Sequence, residues 1–232
     1  MTNAVRRLFG KIPFARSLYG FFLAYRQTVR LGSAESMNQW MDESFQKQDP
    51  WNYTGDAEEQ KRFAIAVKLL QQASHQSQFE NAFEIGCAEG IFTQKLAPLC
   101  KRLVASDICP SALERAQNRC AGANAKFMIW DLRSSPMPED MDLIVVMDVL
   151  ELFFRRPDLR KAKEKLVSAM PPNGFLLLCN SRQILSFEST LWSKWMIRGG
   201  KRIAEYFARD PRLEVIASET SDLCVTTVFR KK

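Results

Sequence analysis

The stretch of sequence that decides the fold is Phe83-Glu84-Ile85-Gly86-Cys87-Ala88-Glu89-Gly90. The segment Ala82 to Ile85 predicts a short strand, the glycines predict a turn, and Ile91 to Leu99 predicts a helix. Because glycine has no Cβ, such a turn lets a ligand approach the backbone closely. A strand, a glycine turn and a helix in this order are typical of a nucleotide-binding unit.

The same alternation continues through the rest of the chain. Strands separated by helices predict an α/β fold with a mostly parallel, doubly wound sheet, and two consecutive final strands predict an antiparallel edge. We expect seven strands in all. After Ala82 to Ile85, the strands are predicted at Arg102 to Ser106, Lys126 to Trp130, Asp142 to Met147, Phe175 to Cys179, Leu213 to Ala217 and Leu223 to Phe229. The other helices are predicted at Ala57 to Ala73, Ser111 to Cys120, Leu159 to Met170, Trp192 to Ile197 and Lys201 to Phe207.

The net charge of +7 over 232 residues is concentrated at the N-terminus. Residues 1–34 contain six basic and no acidic residues among many aromatic and aliphatic ones, which leaves 27 basic and 26 acidic residues elsewhere. We interpret residues 1–34 as a basic amphipathic extension suited to an anionic membrane surface, and residues 35–232 as the main domain. The alternative is that the aromatic residues of the extension pack on that domain. Because the main domain, residues 35–232, is nearly neutral, nucleic acid is not expected as a partner.

Cysteine usage and hydropathy indicate the compartment. The six cysteines are scattered without a C-x-x-C pair, and His75 is the only histidine, which argues against a metal site and fits reduced thiols. The longest apolar run near the start, Leu18 to Tyr25, is far shorter than the roughly 20 residues of a membrane span. We therefore expect a cytoplasmic protein without a transmembrane helix, with a peripheral position on the membrane as the alternative.

Acidic residues occur at three successive strand ends: Glu84, Asp107 and Asp131. An adenosine ligand across these strand ends would meet the glycine turn, Asp107 at its ribose and Asp131 at the adenine amino group. Ile91 departs from the G-x-G-x-x-G pattern of NAD sites, and Glu84 would repel a pyrophosphate but can hydrogen-bond an ammonium group. The pattern therefore favours S-adenosylmethionine as the cofactor.

The sequence resembles the class I S-adenosylmethionine-dependent methyltransferases over roughly residues 45–230. The likeness lies mainly in Glu84 to Leu103, with Asp49-Pro50-Trp51 upstream and Asp142 to Val146 downstream. Within that family it is similar to the nodulation N-methyltransferase (NodS-like) group. The resemblance implies a Rossmann-like fold and a methyl-transferring enzyme. Because that group methylates a free amine on a chito-oligosaccharide, it also implies a small-molecule or glycan acceptor, with an amino sugar as one candidate.

The resemblance also assigns the cofactor contacts. The turn after the first strand is expected to hold the methionine end, the second strand end the ribose, and Asp131 with Leu132 the adenine. The full set of expected cofactor-binding residues is Glu84, Gly86, Cys87, Ala88, Gly90, Asp107, Ile108, Asp131 and Leu132. The Cys87 thiol itself is interpreted as a packing group, because no histidine near it in sequence could activate it.

Two further acids are the candidate catalytic residues. By the resemblance, Asp148 follows the fourth strand and faces the methyl group and the acceptor. An amine acceptor must lose a proton before it attacks, so Asp148 or Glu151 is expected to orient it or accept that proton. For Glu151 a solvated loop position is the alternative. His75 precedes the first strand and is expected at the surface, which favours an amine or an already acidic hydroxyl.

Other interpretations stay open at this point. The enzyme could act at a membrane surface on a lipid or lipid-linked sugar, or the chain could be a non-catalytic methyltransferase-like partner or regulatory protein. Gln48 to Tyr53 could form a lid over the cofactor or a structured linker. Trp192, Trp195 and Met196 could stack on a sugar ring or pack in the core.

Overall fold

The computed structural model describes residues 34–74, 78–153, 156–181 and 199–232. Within these ranges, two helices precede the first strand, and strands and helices then mostly alternate. In order, the elements are α1 (Ala34–Ser44), α2 (Ala57–Ala73), β1 (Phe79–Ile85), α3 (Ile91–Leu96), β2 (Cys100–Asp107), α4 (Pro110–Arg119), β3 (Ala125–Ile129), β4 (Leu143–Met147), α5 (Arg156–Ala169), β5 (Phe175–Ser181), α6 (Gly200–Ala208), β6 (Leu213–Thr220) and β7 (Cys224–Lys231).

The strands form one seven-stranded sheet in the order β3-β2-β1-β4-β5-β7-β6. Strands β1 to β5 pair in parallel, whereas β7 runs antiparallel to both β5 and β6. This confirms the predicted α/β fold, with a mostly parallel sheet and an antiparallel last strand. The strand order reverses between β1 and β4, and ligands of open α/β sheets bind at the carboxyl ends of the strands at such a point.

Helices cover both faces of the sheet. Residues of α2 and α3 pack in the core layer on one face, and residues of α5 and α6 pack in the layer on the other. Neighbouring residues of β1 alternate between the layers, since Ala82 belongs to the first and Phe83 to the second. Strand β4 is buried at every position, as expected of a central strand covered on both sides.

Several element bounds differ from the sequence predictions. Strand β1 begins at Phe79 and β7 runs to Lys231, because pairing with neighbouring strands extends both beyond their most apolar residues. The helix predicted over Ile91 to Leu99 ends at Leu96 and continues as a 3₁₀ turn, where Pro98 offers no backbone N–H. The predicted helix over Trp192 to Ile197 lies outside the described residues. In the described ranges, no helix has the length and hydropathy needed to cross a membrane.

Candidate active site

A cavity of about 410 Å³ opens at the carboxyl ends of β1, β2 and β4. Its volume falls within the usual range for small-molecule sites. Its floor includes the residues that follow these three strands, and α1, α2 and the segment between them supply one wall. Of the predicted site residues, those on the cavity are Gly86, Ala88, Asp107, Ile108, Asp131, Leu132, Asp148 and Glu151.

The turn after β1 is fixed by its glycine. The backbone N–H groups of Gly86 and Cys87 both donate to the carbonyl oxygen of Ser106, at 2.8 and 2.9 Å, which ties the turn to β2. Gly86 has φ of +79°, and a Cβ there would come within 2.4 Å of Val149 Cγ2. Both the backbone conformation and the space therefore require glycine at this position.

Asp107 ends β2 with its carboxylate held in place by the backbone. Its Oδ2 accepts the N–H of Ala88 at 2.9 Å and its Oδ1 accepts the N–H of Cys109 at 3.0 Å. Burial raises the pKa of Asp107, and the backbone N–H groups of Cys109, Ala88 and Ile108 oppose that shift. A carboxylate offers about four acceptor positions, so Asp107 can still accept a hydroxyl donor. The side chain therefore fits the paired hydroxyls of a ribose.

The loop after β3 closes the far end of the cavity with mostly apolar groups. Trp130 is anchored there, since its Nε1 donates to the carbonyl oxygen of Pro136 at 2.8 Å and its ring packs edge-on against Phe83. Asp131 accepts the N–H of Arg133 at 2.8 Å. Asp131 and buried Leu132 both line the cavity, and their contact with the adenine stays a prediction.

Three predicted cofactor residues do not line the cavity, and their contacts with the donor stay predictions. Glu84 is only 3% exposed and accepts a 2.7 Å hydrogen bond from the hydroxyl of Thr93 on α3. Burial raises the pKa of Glu84 to about 7. Cys87 packs with Ala105 and other apolar groups, in agreement with its interpretation as a packing residue. Gly90 has φ of +77° and lies so close to α4 that a Cβ would meet Cys120 and Ala116 at 3.0 to 3.1 Å.

Asp148 is the charged residue at the end of β4. Its backbone N–H donates to the carbonyl oxygen of Cys179 at 2.9 Å, and its φ of +53° is unusual for a residue other than glycine. Its Oδ2 accepts a hydrogen bond from Arg62 Nη1 at 2.5 Å. The other oxygen, Oδ1, is buried and receives no hydrogen bond from an N–H or hydroxyl group of a described residue.

Glu151 is buried next to Asp148, so the alternative of a solvated loop acid is wrong. It accepts hydrogen bonds from Asn180 Nδ2 at 2.5 Å and from the N–H of Ser181 at 3.2 Å. Burial first, and then the charge of Asp148, raise the pKa of Glu151 well above its ordinary value. The raised pKa favours the protonated form of Glu151, and we call the two neighbouring side chains the Asp148–Glu151 pair.

The segment between α1 and α2 forms an aromatic wall over the cavity. Phe45, Trp51 and Tyr53 contact one another in sequence, with ring centroids 4.9 and 5.9 Å apart. The N–H of Asp49 donates to Glu89 Oε1 at 2.9 Å, which joins this segment to the turn after β1. Gln48 to Tyr53 contacts the turn and contributes Trp51 and Tyr53 to the cavity, and its function as a lid or as a structured linker stays a prediction.

Three charged cavity residues escaped the sequence analysis: Glu59, Arg62 and Arg133. Glu59 and Arg62 lie on α2, and Arg62 is only 3% exposed. The sequence did hold a signal. Position 62 falls in the helical series with buried Ile65, Ala66 and Leu69, so a basic residue occupies the apolar stripe of an amphipathic helix.

Other predictions concern parts of the chain that cannot be compared with the structure. The basic residues of positions 1–33, His75, and the candidate acceptor residues Trp192, Trp195 and Met196 lie outside the described residues. Within the part that is described, no group of three or more His, Cys, Asp or Glu residues could hold a metal ion. The six cysteines are free thiols and all are buried.

Comparison with known proteins places the chain in a family. A family model described as Nodulation protein S (NodS) matches residues 33–195. Nodulation protein S of Rhizobium tropici is 30% identical over 187 residues, which cover 78% of this chain and 75% of that protein. The corresponding protein of Sinorhizobium fredii is 36% identical over 131 residues, 56% of this chain and 59% of that protein.

A solved structure agrees with these sequence matches. The N-methyltransferase NodS from Bradyrhizobium japonicum WM9, in complex with S-adenosyl-L-homocysteine, superposes with a TM-score of 0.69 and 27% identity. The match covers 84% of this chain and 97% of that one. The Asp107 carboxylate can accept hydrogen bonds from ribose hydroxyls, and the cavity is apolar at Leu132. The cavity therefore fits S-adenosylmethionine as methyl donor. The chain therefore belongs to the NodS family of S-adenosylmethionine-dependent methyltransferases.

Proposed function

We propose that this enzyme methylates a primary amine on a small molecule or glycan, with an amino sugar as the leading candidate. The observation that carries the proposal is the Asp148–Glu151 pair on the cavity. Arg62 forms ion pairs with both Glu59 and Asp148, so one guanidinium faces two carboxylates and the group as a whole stays negatively charged. That negative charge attracts an ammonium group and gives no such attraction to a neutral hydroxyl.

The donor is expected to bind along the ends of β1, β2 and β3. S-adenosylmethionine, when bound, supplies a methyl group on a positively charged sulfur. Asp107 accepts the ribose hydroxyls, and Ile108 and Leu132 contact the adenine. Gly86 and Ala88 let the methionine end approach the backbone. These assignments are supported by the position of each residue on the cavity.

The acceptor is expected to bind between the donor and the aromatic wall. Asp148 holds the amine by a hydrogen bond and accepts a proton from it, so that a nitrogen lone pair is free to attack. In-line transfer needs the nitrogen about 3 to 3.5 Å from the methyl carbon, which a fixed carboxylate can enforce. Trp51 and Phe45 exclude water from this position, which strengthens the electrostatic contacts inside the cavity.

Transfer of labelled methyl groups to matched sugars tests the proposal. We expect product with a glucosamine oligosaccharide that carries a free amine, and none with the same oligosaccharide fully N-acetylated. The Asp148→Asn variant should lose the activity. The Lys68→Met variant is the control. Lys68 lies on the same helix as Arg62, and its ion pair with Glu219 is exposed. Equal labelling of the N-acetylated sugar would show that a hydroxyl is the acceptor and would overturn the proposal.

A second candidate function is methyl transfer at a membrane surface, to a lipid or lipid-linked sugar. It is supported by the charge of residues 1–34, which hold six basic residues and no acidic ones. In this proposal residues 1–34 are a separate extension that holds a cytoplasmic enzyme on anionic lipid. Deleting residues 1–34 should abolish sedimentation with anionic vesicles and spare activity on a soluble amine. Unchanged sedimentation of the shortened chain would contradict it.

A further inference from the structure

We propose that Arg62 is a positioning residue for methyl transfer: it holds Asp148 in the orientation that receives the acceptor, and it takes no part in binding the donor. The inference rests on the proposed function, because it assumes that Asp148 contacts the acceptor. Arg62 lies on α2, which precedes the sheet in the chain. It is therefore not part of the glycine turn or of the strand ends that form the rest of the site.

Arg62 is built into the site as a fixed group. Its Nε donates to Glu59 Oε2, its Nη1 donates to Asp148 Oδ2, and Nη1 also lies 3.9 Å from Cys179 Sγ. Its guanidinium carbon lies 5.4 Å from the centre of the Tyr53 ring and 4.9 Å from that of Phe63. These contacts leave the guanidinium one orientation, and burying a charge is tolerated only when it is paired in this way.

The two carboxylates require the shape of arginine. Glu59 lies three residues before Arg62 on the same helix, whereas Asp148 comes from the loop after β4. The planar fork of a guanidinium can hold both at once with separate nitrogens, but a lysine ammonium is a single point charge. We therefore expect lysine at this position to keep the attraction to Asp148 and to lose part of the orientation.

Asp148 depends on outside contacts for its geometry. Its positive φ is a strained backbone conformation for aspartate, and such conformations persist only where the surroundings enforce them. The hydrogen bond to Cys179 holds the backbone, and Arg62 holds Oδ2. With Oδ2 fixed, the carboxylate cannot rotate about its last bond. Its remaining acceptor positions therefore stay at one place for the amine.

The described polar contacts of Arg62 do not involve the residues assigned to the donor. Those described go to Glu59, Asp148 and Cys179, whereas the residues assigned to the donor follow β1, β2 and β3. The other titratable groups that interact with the guanidinium are Tyr53 and Cys224. Tyr53 belongs to the aromatic wall, and neither residue is among those assigned to the donor.

Binding and kinetics measured on the same variants test the proposal. For Arg62→Met we expect kcat/KM for the amine to fall about 100-fold while the Kd for S-adenosylhomocysteine changes less than about threefold. Arg62→Lys should recover roughly a tenth or more of the wild-type kcat/KM, since it restores the charge. Lys68→Met, the surface control on α2, should match the wild type. A loss of about tenfold or more in S-adenosylhomocysteine affinity would assign Arg62 to the donor and overturn the proposal.

A double-mutant cycle shows whether Arg62 acts through Asp148. In an Asp148→Asn background, Arg62→Met should lower the remaining activity by less than about twofold. Independent, multiplying losses would contradict the proposal. If Arg62→Met does not fold, as thermal melting would show, Arg62→Lys and Arg62→Gln supply the same comparison. If the wild type methylates a hydroxyl rather than an amine, the proposed function fails, and the cycle run on that acceptor still decides the role of Arg62.

Discussion

The backbone N–H of Asp49 donates a 2.9 Å hydrogen bond to the carboxylate of Glu89, which joins the segment before α2 to the turn after β1. The same Oε1 accepts Arg115 Nε at 2.9 Å, and Arg115 Nη2 donates to the carbonyl oxygen of Phe45 at 2.8 Å. Glu89 is almost fully buried. One carboxylate thus holds both the aromatic wall and the predicted donor-binding turn in place.

Replacing Glu89 by alanine should loosen this wall. We expect the affinity for S-adenosylhomocysteine to fall at least roughly tenfold, because hydrogen bonds to a charged group contribute about 1.5 to 3 kcal/mol each. Hydrogen exchange of the backbone over residues 45–55 should become faster in the variant. Glu114→Ala is the matched control, since Glu114 is exposed on the same helix as Arg115. Unchanged exchange over residues 45–55 would count against the connection.

Replacing Asp107 by alanine should remove the ribose contacts. Two hydrogen bonds from hydroxyls to a carboxylate contribute about 3 kcal/mol together, so we expect S-adenosylhomocysteine to bind about 100-fold more weakly in calorimetry. A donor analogue without the ribose hydroxyls separates this effect from damage to the turn. Wild type and variant should bind that analogue with similar affinity, and a 100-fold difference with it as well would contradict the assignment.

The pKa of Glu84 predicts how stability changes with pH. Its pKa is about 7 in the folded protein, compared with 4.5 for an ordinary glutamate, so the folded state keeps a proton that the unfolded state has released. The stability that this protonated group provides is therefore present below about pH 4.5 and is lost as pH rises through about 7.

The Glu84→Gln variant isolates that contribution. Glutamine cannot titrate and can still accept the Thr93 hydroxyl, so the unfolding free energy of the variant relative to wild type should increase with pH. We expect an increase of at most about 3 kcal/mol between about pH 5 and pH 8, measured by urea denaturation. Parallel stability curves for the two proteins would show that Glu84 titrates near its ordinary pKa.

The two acids of the Asp148–Glu151 pair should respond differently to amide substitution. Burial raises the pKa of Glu151, and glutamine has the neutral charge and the hydrogen-bond donor of a protonated glutamate, so kcat of Glu151→Gln should change by less than about fivefold. Asp148→Asn removes the charge and the proton acceptor, and kcat should fall by about 10² to 10³. Steady-state kinetics on the amine acceptor decide this. A large loss in Glu151→Gln would mean that Glu151, and not Asp148, holds the negative charge.

The parts of the site that were predictable from sequence are those fixed by local pattern. The glycine turn after β1 and the acids after β2 and β3 could be located because parallel strands bring their carboxyl ends to one edge of the sheet. Asp107 and Asp131 therefore line the cavity as expected. Their neighbour Glu84 does not, because its carboxyl group is directed to Thr93 on α3, and only the packing of that helix reveals this.

The parts that were missed depend on contacts between distant segments. The ion pair of Arg62 with Asp148 joins α2 to the loop after β4, and no spacing rule connects the two positions. The burial of Glu151 has the same origin, since its partners Asn180 and Ser181 lie on β5. The helical pattern of the sequence indicates that Arg62 is buried, but it does not identify the carboxylate that pairs with it.

The division of the cavity between strand ends and an N-terminal wall has a consequence for the evolution of specificity. The groups suited to the donor follow β1, β2 and β3, whereas Trp40, Phe45, Trp51 and Tyr53 come from a short stretch ahead of the sheet. Substitutions in that stretch are expected to change the space for an acceptor more than the predicted contacts of the ribose and adenine. Exchanging residues 34–62 between related enzymes should therefore transfer acceptor preference. These residues are the part of the chain to change when the enzyme is to accept new amines.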